Sequence, residues 1–403
     1  MRLKQTHFLF WAILSCLAIA SSLYLPKRID LQVYWYGVRD FYAGIRSAYG
    51  VDSGVSHPLE YRYPPATYVL LYPLPFVPLR MAAFFWSLAE WVIASLTLWL
   101  AIRVRRLHFS SVAIAACCAA MLSYVVLAIR YGNVQPFVIC AIFAALILSE
   151  TRPVWSGLLL ALAVTFKIWP ILLLPWLLRR ERSRAAAYFL VWLAVLWLCP
   201  VLVFGVHGYW ALLTQWYTAM TSVATTYTEV YYKLGQSLRD VSLRYCSSHI
   251  APRRVSLAVA VLDAAVYCFF AIRMLRSDRS TMWVWDGLAF ILYSLIEPFA
   301  VRSGLISLAP AVLTGGCLYT IVNKPGSRRN TLAKHLFLSA CTVFFLVAIV
   351  QYRPLQHFLE VGGLDFWAEI LLMAALALWL AGDPPAQQSS SVDRTSSPEE
   401  AAV

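Results

Sequence analysis

One polar stretch, residues 28–65, concentrates the side chains that could do chemistry, and it follows directly after the first long apolar run. Carboxylates, arginines and aromatic side chains alternate through it, including Asp30, Asp40, Arg62 and Tyr63. Such groups beside a bilayer suit a site for a polar, ring-shaped substrate that is carried on a lipid. The alternative is an ordinary interface loop, because loops at the membrane surface are also rich in aromatic residues and arginines.

The composition is that of a polytopic membrane protein, with 61% hydrophobic and only 13% charged residues in a chain of 403. The net charge of +13 comes from basic residues in short loops between apolar runs, which is typical of topology signals and not of nucleic-acid binding. No CxxC pair, Walker loop, GxSxG or HExxH motif occurs. We therefore expect no metal, no cofactor and no nucleic-acid partner.

The first apolar run, residues 8–25, is about long enough to span a bilayer and places residues 28–80 outside the cytoplasm. Residues 18–20 read Ala-Ile-Ala, so cleavage by a signal peptidase is the alternative to a retained anchor. Apolar residues at helical spacing predict one or two short amphipathic helices lying at the interface within this first loop. The prolines between Pro64 and Pro78 exclude a regular spanning helix over residues 67–79.

Apolar runs predict about twelve transmembrane helices in an all-α protein, with both termini in the cytoplasm. The arginine-rich loops between them all fall on the cytoplasmic side. The two short runs that flank Lys167 could instead form one kinked helix. Residues 1–381 are predicted to be one integral membrane domain and residues 382–403 a disordered cytoplasmic tail. The predicted crossings after the first are 81–102, 111–129, 136–149, 154–166, 170–178, 185–205, 255–272, 282–296, 304–322, 332–350 and 363–381.

Several short motifs follow one another in a characteristic order and spacing: Asp30, Tyr34, Gly44 with Ala48-Tyr49, Tyr63-Pro64-Pro65, Gly132-Asn133-Val134-Gln135, Lys167-Ile168-Trp169-Pro170 and Gln236-Ser237-Leu238. Together they resemble glycosyltransferase family 87, whose members have the GT-C fold and use polyprenyl-phosphate sugars. The resemblance covers residues 30–311, and one departure is Glu297 to Gly304, where such proteins often show Ser-Pro, then Trp and a His pair.

The resemblance implies a hexosyltransferase, and specifically a mannosyltransferase, since the characterised members are largely mannosyltransferases. The donor would be a polyprenyl-phosphate sugar and the acceptor a lipid-linked or cell-envelope glycan, with direct displacement and inversion. Such an enzyme would be metal-independent and would work at the extracytoplasmic face of the bacterial inner (plasma) membrane. Its partners would be these two substrates and membrane lipid.

The resemblance makes Asp30 the expected general base, with Asp40 in reserve; the alternative is that Asp30 pairs with Lys27 or Arg28. Lys167 lies between two apolar half-helices, where a lysine is costly, and is the expected phosphate-binding cation unless it reaches back to the interface. Glu297 is expected to pair with Arg302. The remaining donor-binding candidates are Arg62, Tyr63, Arg130, Asn133, Gln135, Gln236, Ser237 and Arg302. The amide and hydroxyl side chains among them could instead cap helix ends.

Two other functions stay open at the level of sequence. A dozen helices with both ends inside is also a common transporter architecture, although no internal repeat of the kind that transporters show is visible. The departure at residues 297–304 also allows a catalytically inactive relative that assists assembly of the cell envelope.

Overall fold

Helices make up all the regular secondary structure that the computed structural model describes, and no strand occurs among these residues. The all-α prediction is therefore confirmed for the described part of the chain. The described residues are 29–44, 49, 61–105, 107–226, 235–246, 248–297, 302–322, 327–349, 355, 358–359 and 361–382.

The α-helices are numbered here in chain order over the described residues, and four short 3₁₀ segments lie between them. The α-helices are α1 Ile29–Tyr42, α2 Ala66–Leu70, α3 Leu79–Arg105, α4 Ser111–Tyr131, α5 Gln135–Leu148, α6 Pro153–Phe166, α7 Leu174–Leu177, α8 Ser183–Thr226, α9 Leu238–Cys246, α10 Pro252–Leu275, α11 Met282–Ile296, α12 Ala309–Ile321, α13 Arg328–Ile349 and α14 Leu364–Leu380. The 3₁₀ segments are Leu74–Phe76, Trp169–Leu173, Arg279–Thr281 and Arg302–Leu308.

Six helical segments in the described residues are long and apolar enough to cross a membrane, so the chain is an integral membrane protein. The predicted count of about twelve crossings is not confirmed. The first predicted crossing, residues 8–25, lies outside the described residues. Helices α5 and α6 have only 14 residues each. A helix of that length rises about 21 Å, which is less than the hydrocarbon thickness. The six segments are Leu79–Arg105, Ser111–Tyr131, Ser183–Thr221, Pro252–Leu275, Gly304–Ile321 and Arg328–Ala348.

The chain reverses its direction at Lys167, so the interpretation of one continuous kinked helix is wrong. Lys167 contacts Glu297 after the end of α11, whereas Arg182 contacts Asp286 near its start. Those two positions on α11 are about 16 Å apart along the helix. Residues 167–182 therefore run antiparallel to α11. We call the end of the bundle with Lys167 and Glu297 the site end, and the opposite end the arginine end.

The predicted crossing at residues 170–178 is not a helix of spanning length. It consists of the 3₁₀ segment Trp169–Leu173 followed by the four-residue helix α7. Pro170 and Pro175 explain this form, because a proline in a helix interior removes a backbone donor and clashes with the preceding turn. The segment is a short irregular return leg beside α6.

Helix α8 extends far beyond the crossing predicted for residues 185–205. The chain breaks helical geometry at Gly205, whose φ of 69° favours glycine, and then resumes a helix to Thr226. The stretch that follows the crossing predicted for residues 185–205 is therefore helical as far as residue 226. The extension carries Trp216, whose indole N–H donates to the Arg62 carbonyl at 3.1 Å. This hydrogen bond holds the chain segment that leads into Tyr63.

The first predicted loop does form a helix, α1, and one face of α1 is buried inside the protein, while its position at the membrane interface stays a prediction. Leu31, Tyr34 and Val38 are 0–2% exposed and belong to the main hydrophobic core. The helix is therefore inserted between other elements, and burial of its apolar face holds it there. The exclusion of a regular helix over residues 67–79 is confirmed, because α2 and the 3₁₀ segment Leu74–Phe76 occupy this stretch.

A buried cluster of charges ties the arginine end together. Arg182 donates to both Asp286 oxygens at 2.7 and 3.0 Å, and Arg105 donates to the same carboxylate at 2.6 Å. Arg279 pairs with Glu150 beside them. Three loops that the charge pattern placed on one side of the membrane thus share one end of the bundle, while the identity of that side stays a prediction.

We expect Asp286→Asn to destabilise the protein strongly. The substitution leaves the Arg105 and Arg182 guanidinium groups in a buried site without their carboxylate, which costs on the order of 3–5 kcal/mol. Thermal unfolding of the purified protein in detergent measures this. Glu181→Gln is the matched control, since Glu181 pairs with Arg179 at the exposed surface. Equal losses for the two variants would contradict a structural role for Asp286.

Candidate functional site

A tight turn between α4 and α5 positions the start of α1. Gly132 ends α4 with a φ of 64°, and a Cβ atom added to it would lie 2.8 Å from the Leu31 Cβ. Only glycine therefore lets the first turn of α1 pack against this turn. As a result Asp30, the neighbour of Leu31, lies directly beside Asn133.

The Asn133 side chain is oriented by its own turn. Its Oδ1 accepts a hydrogen bond from the Gln135 backbone N–H at 2.8 Å. This leaves the Nδ2 group to donate to the Asp30 carboxylate. Asn133 therefore links the start of α5 to the start of α1.

Asp30 is a partly buried carboxylate with an unusual titration. Burial raises the pKa of Asp30 to about 6, and the Lys167 ammonium and the hydrogen bond from Asn133 offset part of this rise. At neutral pH the group is therefore ionised, yet it is more basic than an ordinary aspartate. This is the property that a general base needs.

Lys167 lies at the chain reversal and pairs with Glu297. Lys167 is the residue after α6 and has an extended backbone, with φ −138° and ψ 128°. Its Nζ lies 3.0 Å from the Glu297 Oε1. The Lys167 side chain is 23% exposed and that of Glu297 is 7% exposed, so the pair can be reached from outside through the lysine.

The second oxygen of Glu297 is held from α5. Gln135 Nε2 donates to Glu297 Oε2 at 3.4 Å, and the Tyr293 hydroxyl lies 3.5 Å from the same nitrogen. Glu297 therefore has one oxygen directed to a cation and one to an amide. We call Asp30, Asn133, Gln135, Lys167 and Glu297 the polar cluster.

A pair of tyrosines borders the polar cluster. The Tyr34 and Tyr63 hydroxyl oxygens are 2.7 Å apart, and the Val134 backbone N–H donates to Tyr34 at 3.3 Å. Burial raises the pKa of Tyr63, and the charges of Asp30 and Glu297 add to that rise. Tyr63 therefore stays protonated at neutral pH and lies near both carboxylates of the cluster.

Asp40, the reserve base, lies in a different place. Asp40 is buried and pairs with Arg39, whose nitrogen is 2.7 Å from the carboxylate. It lies ten positions after Asp30, which is about 15 Å along α1. The two carboxylates therefore cannot act on the same reacting atom, and the pairs considered for Asp30 with Lys27 and Arg28 lie outside the described residues.

The three candidate arginines are placed unequally. Arg62 lies next to Tyr63, and its charge lowers the pKa of Tyr63, which burial raises. Arg130 is exposed in the last turn of α4. The backbone of Arg302 begins the 3₁₀ segment after Glu297, and its side chain lies outside the described residues. The expected pair of Glu297 with Arg302 is thus untested, whereas the pair with Lys167 is present.

Ser237 has a role in its own helix. Its hydroxyl donates to Asp240 at 2.8 Å and accepts from the Asp240 backbone N–H at 3.2 Å, which caps the start of α9. Gln236 precedes it and is buried. For Ser237 the structure favours helix capping, the alternative that the sequence left open.

The sequence indicated most of the polar cluster but missed how it is connected. Lys167, Asn133, Gln135 and Asp30 were candidates, whereas the Lys167–Glu297 pair, Tyr293 and the role of Gly132 were not foreseen. The available signal was that Lys167 and Glu297 each follow directly after an apolar helix. A cation and an anion in equivalent places at helix ends are candidates for pairing.

The polar cluster can accept a proton at Asp30 and can hold an anion at Lys167. Within the described residues, no three His, Cys, Asp or Glu side chains group closely enough to hold a metal ion. A metal-independent site stays a prediction.

Comparison with known proteins identifies one family. The family model of glycosyltransferase family 87 matches residues 61–298, which is more than half of the chain. The match includes Asn133, Gln135, Lys167 and Glu297, and it begins after Asp30. No curated protein and no solved structure matches the chain.

We expect Gly132→Ala to destabilise the protein more than Gly44→Ala does. Both glycines have a positive φ, 64° and 68°, so alanine is strained at either position. Only at position 132 would the new Cβ also overlap Leu31, since nothing lies within 4 Å of a Cβ at position 44. Thermal unfolding in detergent compares the two variants, and equal losses would show that contact between α1 and the turn is unimportant.

Proposed function

We propose, since the chain belongs to glycosyltransferase family 87, that it transfers a hexosyl group, specifically mannosyl, from a polyprenyl-phosphate donor. The acceptor is a hydroxyl group of a lipid-linked or cell-envelope glycan, and transfer occurs with inversion at the extracytoplasmic face of the bacterial inner membrane. The family makes the protein a membrane glycosyltransferase with a sugar donor and an acceptor. The donor lipid, the sugar, the acceptor and the mechanism are our proposal.

The observation that carries the proposed mechanism is that Asp30 and Lys167, which are far apart in sequence, lie close enough at one end of the bundle for the lysine charge to lower the pKa of Asp30. Group transfer from a phosphate needs a base for the incoming hydroxyl and a cation for the departing phosphate. The polar cluster contains both kinds of side chain. At the arginine end, by contrast, the buried carboxylate Asp286 is already bound by two guanidinium groups.

In the proposed reaction Asp30 accepts the proton of the acceptor hydroxyl. The hydroxyl oxygen forms a bond to the anomeric carbon of the donor sugar while the bond from that carbon to the phosphate oxygen breaks. The leaving polyprenyl phosphate takes the electron pair of the broken bond and thereby gains a second negative charge. Lys167 balances this charge, and a positioned cation is among the largest contributions available to such a step.

The charge of the polar cluster explains why further cations are needed. Two carboxylates and one ammonium leave one net negative charge when Asp30 is ionised. A phosphate would be repelled unless another cation took part. Arg62, whose charge lowers the pKa of Tyr63, is one candidate for this second cation. Arg302, which begins the 3₁₀ segment after Glu297, is the other.

The surface beside Lys167 suits the lipid part of such a donor. Ile168, Trp169 and Ile171 follow Lys167 directly and are each 37–40% exposed. A polyprenyl chain is a hydrocarbon and would lie against apolar side chains of this kind. A phosphate bound at Lys167 would thus have its lipid tail directed along the return leg to α7.

We expect Asp30→Asn to reduce transfer on the order of a hundredfold or more, because asparagine keeps the shape but cannot accept the proton. Asp40→Asn is the matched control on the same helix and should retain turnover. The measurement is radiolabelled mannose transfer from polyprenyl-phosphate mannose by purified, folded protein, with polyprenyl-phosphate glucose in parallel.

The outcomes of this experiment separate the roles. Near-normal turnover of Asp30→Asn with a loss in Asp40→Asn would move the base to Asp40. Near-normal turnover of both variants would remove α1 from the chemistry. Absence of transfer from every polyprenyl-phosphate hexose by wild-type protein would contradict the proposed function and return attention to transport or assembly.

We expect kcat/KM to rise with pH through about 6 and to be flat above pH 7, since the base must be ionised and the pKa of Asp30 is about 6. Lys167→Met removes a charge that lowers this pKa, so the midpoint should move to higher pH. Arg130→Met, which removes an exposed cation, should leave the midpoint unchanged. A midpoint that is the same in wild type and Lys167→Met would show that Asp30 does not control the profile.

A further inference from the structure

A cleft of about 420 Å³ opens at the arginine end, between α10, α11 and α14. Its volume lies in the range of sites for small organic ligands. One part of its wall is apolar and includes Phe269, Phe270, Leu288 and Leu380. The other part is polar and is formed by Arg273, Arg276, Ser277, Asp278 and Thr281. The cleft therefore combines a hydrocarbon surface with cations.

Arg273 and Arg276 differ from the other arginines near them. Arg182 and Arg279 are engaged in ion pairs with Asp286 and Glu150. Arg273 and Arg276 are exposed, and among the described residues no ion pair holds either of them. Three positions separate them at the end of α10, so both guanidinium groups can reach one ligand.

The cleft opens on a face of α10 that the rest of the protein leaves uncovered. Helix α10 is a candidate membrane span of which only 17% is buried inside the protein, and Phe269 on the cleft wall is 59% exposed. A hydrocarbon chain can therefore enter the cleft sideways from the bilayer. A ligand that was only polar would leave the apolar walls without a partner.

The charges in the polar part of the wall define the head group. Asp278 also lines the cleft, so two guanidinium groups and one carboxylate give a net charge of one positive unit. Arginine binds phosphate oxygens with paired N–H groups, and a carboxylate accepts hydrogen bonds from hydroxyl groups. A single phosphodiester with a hydroxyl-bearing head group complements this arrangement.

We propose that this cleft is a binding site for a monoanionic phospholipid. The phosphate lies on Arg273 and Arg276, a head-group hydroxyl donates to Asp278, and an acyl chain lies along Phe269, Phe270 and Leu380. The site is separate from the polar cluster, because the two lie at opposite ends of α11. It ties α10 to α14 through the lipid.

The test is the thermal unfolding of delipidated full-length protein in detergent with added lipid. Phosphatidylglycerol should raise Tm by about 2 °C or more, since a ligand that binds only the folded state stabilises it, and phosphatidylcholine should not. The double variant Arg273→Gln with Arg276→Gln should lose the rise. The matched control, Arg253→Gln with Arg254→Gln at the other end of α10, should keep it.

A second pair of variants tests the cleft itself with its arginines intact. Ala377→Trp fills the cleft from α14 and should abolish the rise, whereas Ala260→Trp on the exposed surface of α10 should not. Loss of the rise in Ala260→Trp or in the Arg253/Arg254 control, or its persistence in Ala377→Trp, would overturn the assignment.

Two further arms separate other occupants. Inorganic phosphate at the same concentration should not raise Tm, and a full rise with phosphate alone would overturn a lipid site. Residues 383–403 carry four carboxylates that could also reach the arginines. A response to phosphatidylglycerol that appears only after these residues are removed would assign the cleft to that segment of the chain instead.

Discussion

The ion pair of Lys167 with Glu297 is the interaction on which the site end depends. An ammonium group among apolar helices is tolerated only beside a negative charge. Removing one partner of such a buried pair destabilises a protein far more than replacing both partners with apolar residues. Because Lys167 lies where the chain reverses, the pair holds the return leg against the end of α11. The charge of the same lysine also reaches Asp30 on α1 and lowers the pKa of that carboxyl.

The two ends of the bundle use the same kinds of charge in opposite proportions. At the arginine end one buried carboxylate, Asp286, is shared by two guanidinium groups at hydrogen-bond distance. At the site end one ammonium, Lys167, pairs with Glu297, is partly exposed, and lowers the pKa of the second carboxylate, Asp30, through its charge. The first arrangement is closed and gives stability. The second keeps a basic carboxylate and a cation within reach of a ligand, which is how a site and a structural cluster differ physically.

The sequence predicted residues better than it predicted connections. Helical segments, the proline-broken stretch and the candidate Lys167 follow from local patterns, which depend only on neighbouring residues. The candidates Asp30, Asn133 and Gln135 follow from the resemblance to the family. Three features could not be predicted in this way: the insertion of α1, the helix after Gly205, and the Lys167–Glu297 pair. The first and the third depend on what lies opposite in space, such as Leu31 on Gly132. Short apolar runs were counted as crossings in the sequence, but as helices of 14 residues α5 and α6 are shorter than the hydrocarbon thickness.

Lys167 also offers a way to couple donor binding to the strength of the base. In the free protein its charge lowers the pKa of Asp30, which burial raises. In the proposed mechanism a donor phosphate draws this charge toward itself, and the phosphate adds a negative charge nearby. Both changes raise the affinity of Asp30 for a proton. The carboxylate would therefore become a stronger base when the donor is present, which is the moment at which the acceptor hydroxyl must lose its proton.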